Sequence, residues 1–550
     1  MFRWDRYRAE CPFVQKNTGV DCDKVYFKKL SHALHSKWFV LACLLFATLV
    51  FAFNIEVAGI VLFILLVSVI LIVERDIMPT YAPLALAAMS VLRMYDSFDI
   101  FINYVWVIVV ALISLVFHFL YYPPRRLPKE ERWGKLFYPY LAVSLALILG
   151  GIGIISIKEY FNATTLYYIL GLGVGMLIAY EVFRYYVNPL DNYDTKEYLS
   201  FIMAMTGAFA VIMVALQYSI NVAPALLGPP FEYNIIERFF SMSNNVATYI
   251  LMVSPFSFYL AMRKKYGIVY FVLGVLQGFA MLLSTSRSGF FFSFALILPL
   301  IVLTIWKDRA KRKQYFIALA AIALVFAGIF AIGHQKIWMP IYNNYAFDLS
   351  ADWKIYLALA IGSTLVVSYF IWLYMMPSKL QKIFVPATLT AVVIFVAVGF
   401  AFWDKILPLL IRADESRGLM ANLAITNFPR YPIFGTGIGY TGIEEFYQPR
   451  TATMHFYHSA PFQILGSMGL IGVATYGYML FSRIKMLRQN NKEFQFTVYL
   501  CTLGLYLMSL VNPGIFVPLM FMLQLTLYYA IVERTTERKE WKRLPNSNPV

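Results

Sequence analysis

The sequence predicts an all-α polytopic membrane protein, and three observations lead to that fold class. Hydrophobic residues make up 60% of the chain and charged residues only 14%, and the mean hydropathy is +0.65. Soluble globular domains carry about 25% charged residues. The third observation is a series of about sixteen apolar runs, many near the roughly 20 residues that an α-helix needs to cross a bilayer core. The composition therefore excludes an ordinary soluble domain.

The apolar runs predict roughly 14–16 transmembrane helices. The first run follows the polar segment 1–37 and leads directly into further spans, unlike a cleavable signal peptide, so we expect it to remain as an anchor. The runs lie near residues 38–53, 57–73, 77–92, 100–120, 136–157, 164–183, 199–220, 246–262, 267–283, 289–306, 315–333, 353–376, 383–403, 459–481, 494–511 and 515–532.

The net charge of +16 is distributed unevenly between the two sides of the predicted membrane. When the loops are assigned alternately to the two sides, one side receives most of the 46 Lys and Arg residues. By the positive-inside rule that side is cytoplasmic, so both termini are cytoplasmic and the number of spans is even. None of the basic stretches shows base-stacking aromatic residues interleaved in a groove-like pattern, which disfavours a nucleic-acid partner. They are the N-terminal tail and residues 125–135, 263–265, 307–313, 482–492 and 533–543.

This topology divides the chain into six parts. They are a cytoplasmic tail (1–37), N-terminal transmembrane helices (38–228), transmembrane helices with exterior arginine motifs (229–403), a large exterior loop (404–457), C-terminal transmembrane helices (458–532) and a second cytoplasmic tail (533–550).

The four cysteines predict neither a disulfide framework nor a metal site. Cys11 and Cys22 lie in the cytoplasmic tail, where thiols stay reduced, and Cys43 and Cys501 lie in apolar spans. Their spacing matches no zinc motif. We expect no bound metal and no cofactor.

Four exterior stretches carry polar chemistry. Arg287 is the most informative residue in them, because it lies in a small polar turn between two apolar runs with no carboxylate nearby in sequence. Its guanidinium could snorkel to the interface, or it could bind a diphosphate bidentately at the level of the lipid headgroups. The stretches are "PPFEYNIIERFFSMSNNVATYILMVSPF" (229–256), "LLSTSRSGFFF" (282–292), "ESRGLMANLAITNFPRYPIFGTGIGY" (415–440) and "TMHFYHSAPFQILGSMGLIG" (453–472).

The third stretch has Gly435, Gly437 and Gly439 in alternation. This spacing is not a dinucleotide fingerprint, and no parallel-sheet unit surrounds it. Such glycines allow either close backbone packing or the approach of a ligand. The sequence leaves both alternatives open.

The fourth stretch begins with His455 and His458, which would share one helix face if the helix began that early. Neither an acidic residue nor a third ligand stands at metal-site spacing, so metal binding is not expected. An interfacial histidine can cap a helix or hydrogen-bond within a bundle. Neutral imidazole is also the side chain best suited to accept a proton at neutral pH.

Taken in order, these stretches resemble the family of bacterial O-antigen ligases and O-antigen polymerases. "ERFFSMSNNVATYILMVSPF" is similar to the family's arginine followed by an asparagine-rich turn, and "STSRSG" to its exterior Ser-Arg turn. "PRYPIFGTGIGY" resembles its Pro-x-x-Gly-x-Gly-x-Gly loop, and "HSAPFQILGSMGLIG" its His-Asn-x-x-Leu-Gln element. The resemblance covers roughly residues 230–480. Two residues depart from the family pattern, Ser459 in place of asparagine and Ser467 in place of a common glutamate.

The resemblance implies a role for several residues. Arg238 and Arg287 would hold the diphosphate of a polyprenyl-linked glycan, and His458 would be the catalytic base, with Arg287 also counted as catalytic. His455 has no counterpart in the family motif, and we expect it only to position substrate or the loop. The full set of expected substrate-binding residues is Arg238, Arg287, Asn245, Arg430, His455 and Gly437.

The resemblance implies a metal-independent, inverting glycosyltransferase with a class C-like fold in the bacterial cytoplasmic (inner) membrane. Its donor would be an undecaprenyl diphosphate-linked glycan, its acceptor a saccharide or lipid-linked glycan, and its surroundings the lipid bilayer and other polysaccharide assembly proteins. A repeat-unit polymerase is the first expectation. An O-antigen ligase or a protein O-oligosaccharyltransferase is the alternative. A lipid-linked glycan flippase remains a second alternative, because transporters also carry ionisable residues within their spans.

Overall fold

The structure is a computed structural model, and the residues that it describes form helices and short connections. It describes residues 25–91, 104–152, 163–227, 243–333, 349–438, 456–488 and 493–541, except 54, 126, 128–130, 191–192, 285, 406 and 409–414 within them. No β-strand occurs among these residues. The predicted all-α class is therefore confirmed for the described part of the chain.

The described residues form nineteen α-helices along the chain. They are α1 (Val25–Leu34), α2 (Lys37–Ala52), α3 (Glu56–Val73), α4 (Tyr81–Val91), α5 (Val105–Tyr121), α6 (Phe137–Leu149), α7 (Ala163–Leu170), α8 (Met176–Tyr186), α9 (Thr195–Leu227), α10 (Ser243–Arg263), α11 (Gly267–Leu283), α12 (Arg287–Lys307), α13 (Arg312–Gly333), α14 (Leu349–Met375), α15 (Ser378–Ala401), α16 (Glu415–Asn427), α17 (Ala460–Arg488), α18 (Glu493–Ser509) and α19 (Leu519–Trp541). Short 3-10 turns lie at Met78–Thr80 and Arg309–Lys311.

Among the residues that the structure describes, six helices are long and apolar enough to cross a membrane, which supports an all-α membrane protein. Every apolar run predicted from the sequence also overlaps a helix, although several of these helices are short. The number of spans, 14–16, stays a prediction. The six helical stretches are Glu56–Val73, Thr165–Tyr186, Thr195–Leu216, Asn244–Arg263, Ser288–Lys307 and Ala460–Arg488.

Local sequence explains where several helices begin, end or bend. Ser36 caps α2 by accepting a hydrogen bond from the Phe39 N–H (3.2 Å). Gly151, with φ +81°, follows the end of α6 in a backbone conformation that favours glycine. The glycine-rich segment Gly171–Gly175 forms one π-helical turn between α7 and α8.

The structure adds detail to the predicted exterior loop and to its end. The helix α16 lies within residues 404–457, and the exterior placement of this loop stays a prediction. The helix that follows begins at Ala460, so His458 lies before the helix. His455 itself lies outside the described residues. A left-handed backbone at His458, with φ +52°, explains why the helix cannot begin there.

The chain divides into two compact units. The first comprises Met1–Arg132, Val182–Ser286 and Leu300–Leu349, and the second comprises Trp133–Glu181, Arg287–Pro299 and Ser350–Val550. In the first unit, α10 packs against α9 and α11. In the second, α17 packs against α6 and α16.

A buried carboxylate joins three connecting segments of the first unit. Asp76 Oδ2 accepts hydrogen bonds from His35 Nε2 (3.0 Å) and the Tyr193 hydroxyl (2.7 Å). Its Oδ1 accepts from the backbone N–H groups of Met78 (2.8 Å) and Asn188 (2.9 Å). Four donors on one carboxylate therefore fix the segment before α2, the segment after α3 and the segment before α9.

His35 and Asp76 each favour the charged form of the other. Burial lowers the pKa of His35, but the hydrogen bond and the charge of Asp76 outweigh burial and raise it to about 9. Burial raises the pKa of Asp76, but the hydrogen bond and the charge of His35, with the Tyr193 hydroxyl and the Met78 N–H, bring it below its ordinary value. His35 and Asp76 thus form an ion pair at neutral pH.

We expect the thermal stability of the purified protein to fall as pH rises from 6.5 to above 9. A histidine whose folded pKa is raised stabilises the fold fully below its unfolded pKa of 6.5, and this contribution is lost as pH passes about 9. The contribution is on the order of 3 kcal/mol. Melting temperatures in detergent across this range measure it.

The variant His35→Gln should remove most of this pH dependence, because glutamine can donate to Asp76 but does not titrate. His32→Gln is the matched control and should keep the wild-type pH profile. A wild-type profile in His35→Gln would contradict the role given to this ion pair.

Candidate functional site

A short turn before α17 presents His458 to the outside of the second unit. Tyr457 and Ser459 are buried on either side of it, whereas His458 is exposed. Its φ of +52° lies in the left-handed region, which few residues other than glycine adopt. The backbone therefore directs two neighbouring side chains inward and the histidine between them outward.

Three hydrogen bonds of Gln463 hold this turn. Its side-chain Oε1 accepts from the Tyr457 N–H (2.9 Å), and its Nε2 donates to Ser467 Oγ (2.7 Å). Its backbone N–H donates to the Ser459 carbonyl (2.8 Å), which starts the helix. Gln463 and Ser467 are both fully buried.

The predicted glycine loop packs against the first turns of α17. The backbone N–H of Thr436 donates to the Gly466 carbonyl (2.8 Å), and that of Gly437 donates to the Ser467 carbonyl (2.9 Å). Gly435 and Gly437 have φ values of +67° and +83°. Of the two uses left open for the three glycines of this loop, the structure shows close backbone packing at Gly435 and Gly437, and Gly439 lies outside the described residues.

A second pair of hydrogen bonds continues this contact to a bend in α17. The N–H groups of Leu470 and Ile471 donate to the carbonyls of Pro432 (2.9 Å) and Ile433 (3.2 Å). Gly469 lies between the two contacts with φ 58° and ψ −148°, which interrupts the helix. The loop thus replaces the missing intrahelical hydrogen bonds of the bend.

A third backbone segment, which the sequence interpretation missed, joins this packing. A Cβ added at Gly151 would lie 3.0 Å from Gly437 Cα, and one added at Gly150 would lie 3.0 Å from the Ser467 carbonyl oxygen. The signal in the sequence is the "GGIG" at the end of α6. We call residues 150–151, 435–437 and 466–469 the glycine junction.

The two motifs that precede the glycine loop, both predicted to be exterior, also meet. The Ser286 hydroxyl donates to Asn244 Oδ1 (2.6 Å), which joins the Ser-Arg turn to the asparagine-rich turn at the start of α10. Asn245 is half-buried beside Asn244. Arg287 is the first residue of α12. Its side chain and the whole of Arg238 lie outside the described residues.

Arg430 lies at the end of the turn that follows α16. It is exposed, and its backbone N–H donates to the Asn427 carbonyl (3.0 Å). The expected roles of Arg430, Asn245, Gly437, Arg287 and His458 in substrate binding or catalysis stay predictions. No cluster of three or more potential metal ligands occurs among the described residues, and the metal-independent mechanism also stays a prediction.

Arg483 belongs to the basic stretch 482–492, which the sequence predicts as a loop, but the structure places it in a helix. It lies near the end of α17 and is buried, because its side chain inserts among aromatic residues of the second unit. Its guanidinium donates to the hydroxyls of Tyr506 (3.1 Å) and Tyr140 (3.0 Å) and lies over the rings of Tyr140 and Tyr529. This cation therefore stabilises helix packing in addition to any topological role.

Comparisons with known proteins give no match for this chain among family models, curated proteins or solved structures.

The glycine junction should not tolerate an added methyl group. At Gly435 a Cβ would overlap the backbone of Ser467 and Met468, and the φ of +67° is unfavourable for alanine. We expect Gly435→Ala to lower the melting temperature strongly or to prevent folding, as judged by size-exclusion chromatography of the detergent-extracted protein.

Gly477→Ala is the matched control, because a Cβ at Gly477 in the same helix α17 meets nothing within 4 Å. It should be neutral or slightly stabilising, since alanine favours a helix by about 1 kcal/mol over glycine. Equal stability of the two variants would show that the junction does not constrain the fold.

Proposed function

We propose that this chain is a membrane glycosyltransferase that moves a glycan as one block from a polyprenyl diphosphate carrier to a saccharide hydroxyl. The observation that supports the proposal most is the exposed His458, held outside the glycine junction by a left-handed turn. A histidine so presented can take the proton of an incoming hydroxyl, since neutral imidazole has an ordinary pKa of about 6.5.

In the proposed reaction, the acceptor hydroxyl oxygen attacks C1 of the carrier-linked sugar on the face opposite the diphosphate. A new C1–O bond forms with inversion while the C1–O bond to the diphosphate breaks, and its electron pair leaves with the polyprenyl diphosphate. His458 takes the hydroxyl proton. Diphosphate is already a good leaving group, so the protein has to stabilise its charge and deprotonate the acceptor.

The assignment of the diphosphate to Arg238 and Arg287 follows from the family resemblance. Two features of the structure support it. Arg287 begins a 21-residue helix, and helix N-termini favour anions. The hydrogen bond between Ser286 and Asn244 links the two motifs to which the resemblance gives this role. An arginine can bind phosphate oxygens bidentately, and each charge-assisted hydrogen bond contributes about 1.5–3 kcal/mol.

We place the proposed reaction at the outer face of the bacterial cytoplasmic membrane, with both termini in the cytoplasm, on the basis of the positive-inside distribution of Lys and Arg. The proposed donor is an undecaprenyl diphosphate-linked glycan. The acceptor is another carrier-linked repeat, which makes the protein a polymerase. Transfer to lipid A-core or to a protein in the same assay would identify it as a ligase or an oligosaccharyltransferase instead.

Replacing His458 by Ala should lower turnover roughly 10²–10⁴-fold, the contribution usual for general-base catalysis, while carrier binding changes little. The measurement is the rate at which the purified protein consumes an undecaprenyl diphosphate-linked oligosaccharide. His455→Ala is the comparison and should lose much less, because it has no counterpart in the family motif. Near-normal turnover in His458→Ala together with an inactive His455→Ala would show that the base has been assigned to the wrong histidine.

Chelation should leave turnover unchanged, because arginines rather than a divalent ion hold the diphosphate in this scheme. The test is the same assay with and without EDTA, followed by addition of Mg²⁺ or Mn²⁺. Loss of activity in EDTA and recovery with either ion would replace the arginine scheme with a metal-held diphosphate.

A further inference from the structure

The left-handed backbone at His458 requires support from its neighbours. A non-glycine residue in this region is strained, and such strain persists only where the surrounding structure enforces it. Nothing in a histidine side chain favours this conformation strongly enough to set it alone. The residues on either side must therefore hold the turn.

Tyr457 provides one anchor of the turn. It is 1% exposed and lies in a small core with Met420, Leu423 and Ala424 of α16. Its ring also packs on α17, because a Cβ added at Gly466 would lie 2.7 Å from ring atoms. Its hydroxyl accepts a hydrogen bond from Asn427 Nδ2 (3.4 Å). Packing thus fixes the Tyr457 side chain. The backbone N–H of Tyr457 still requires a hydrogen-bond acceptor.

Gln463 supplies that partner and connects it to the helix. Its Oε1 accepts from the Tyr457 N–H (2.9 Å), while its Nε2 donates to Ser467 Oγ (2.7 Å) one turn further along α17. The amide is therefore held at both ends. The backbone N–H of the same residue binds the Ser459 carbonyl (2.8 Å), so Gln463 contacts the residues immediately before and after His458.

We infer that Gln463 is a positioning residue, which fixes the direction of the His458 imidazole by holding the backbone on both sides of it. The catalytic consequence rests on the proposed function, in which His458 accepts the acceptor proton. A misplacement of a catalytic group by about 1 Å can cost 10²-fold in rate. Gln463 does not touch the substrate, so its loss changes turnover and leaves carrier binding unchanged.

The first test observes His458 without any activity assay. The protein is labelled with ¹³C at histidine Cε1 and reconstituted in lipid nanodiscs, where its six histidines give few signals. The His458 signal is identified by its loss in His458→Gln. We expect Gln463→Leu to shift and broaden this signal and to move its titration midpoint. An unchanged His458 signal in folded Gln463→Leu would overturn the inference.

Two further variants separate positioning from general destabilisation. Gln463→Glu should restore most of the wild-type signal, because a carboxylate oxygen can accept from the Tyr457 N–H and the Ser467 hydroxyl can donate to the other oxygen. The start of α17 also favours a negative charge. If Gln463→Leu fails to fold, Ser467→Ala replaces it and should produce a smaller change of the same kind.

Gln381→Leu is the matched control. Gln381 is another buried glutamine of the second unit, and its Nε2 donates to the carbonyls of Leu373 (2.7 Å) and Tyr374 (3.2 Å). The same substitution there should leave the His458 signal at its wild-type position. A shift as large as that of Gln463→Leu would mean that the signal reports general loosening, which would overturn the inference.

The second test measures transfer from an undecaprenyl diphosphate-linked oligosaccharide. We expect Gln463→Leu to lower turnover about 10–100-fold with unchanged carrier affinity, Gln463→Glu to recover most of it, and Gln381→Leu to stay near wild type. Wild-type turnover in Gln463→Leu would overturn the catalytic consequence. If the wild-type protein transfers nothing while the His458 signal still shifts in Gln463→Leu, the proposed function fails and the positioning role stands.

Discussion

Close backbone packing in the glycine junction is the constraint on which the candidate site depends. Gly435 and Gly437 lie so near to the start of α17 that the backbone N–H groups of Thr436 and Gly437 donate directly to carbonyls of that helix. This contact fixes the first turns of α17, and those turns carry Gln463 and Ser467. The His458 turn is built on them. A side chain at a closely packed glycine of the junction would push its segments apart, and the turn would then no longer hold His458 in one position.

Much of the fold could be predicted, because membrane spans are a matter of composition and length. Every apolar run overlaps a helix of the structure, and the glycines at 435 and 437 serve close backbone packing, one of the two uses that their spacing left open. The sequence could not predict Gly150 and Gly151 as partners of this loop. That contact joins segments nearly three hundred residues apart. The sequence around a glycine does not indicate which distant backbone segment it will contact.

Buried charged groups were also beyond prediction, for a physical reason. Arg483 and Asp76 stand in segments whose polarity indicated exposed connections, yet both are buried with several hydrogen-bond partners. A polar residue becomes buried only when the tertiary structure brings partners to it, such as Tyr140 for Arg483 or His35 for Asp76. These partners are distant in sequence. Arg483 of the basic stretch 482–492 therefore also stabilises the packing of the helices.

The most direct test of the proposed function follows the products of the purified protein in proteoliposomes. The liposomes contain undecaprenyl diphosphate carrying a radiolabelled oligosaccharide, together with unlabelled carrier-linked acceptor. The account predicts that label moves into a longer glycan, that one undecaprenyl diphosphate is released for each bond formed, and that the new linkage has the opposite anomeric configuration to the donor. Label that crosses the bilayer while still attached to its carrier, with no release of undecaprenyl diphosphate, would contradict the account and identify a transporter.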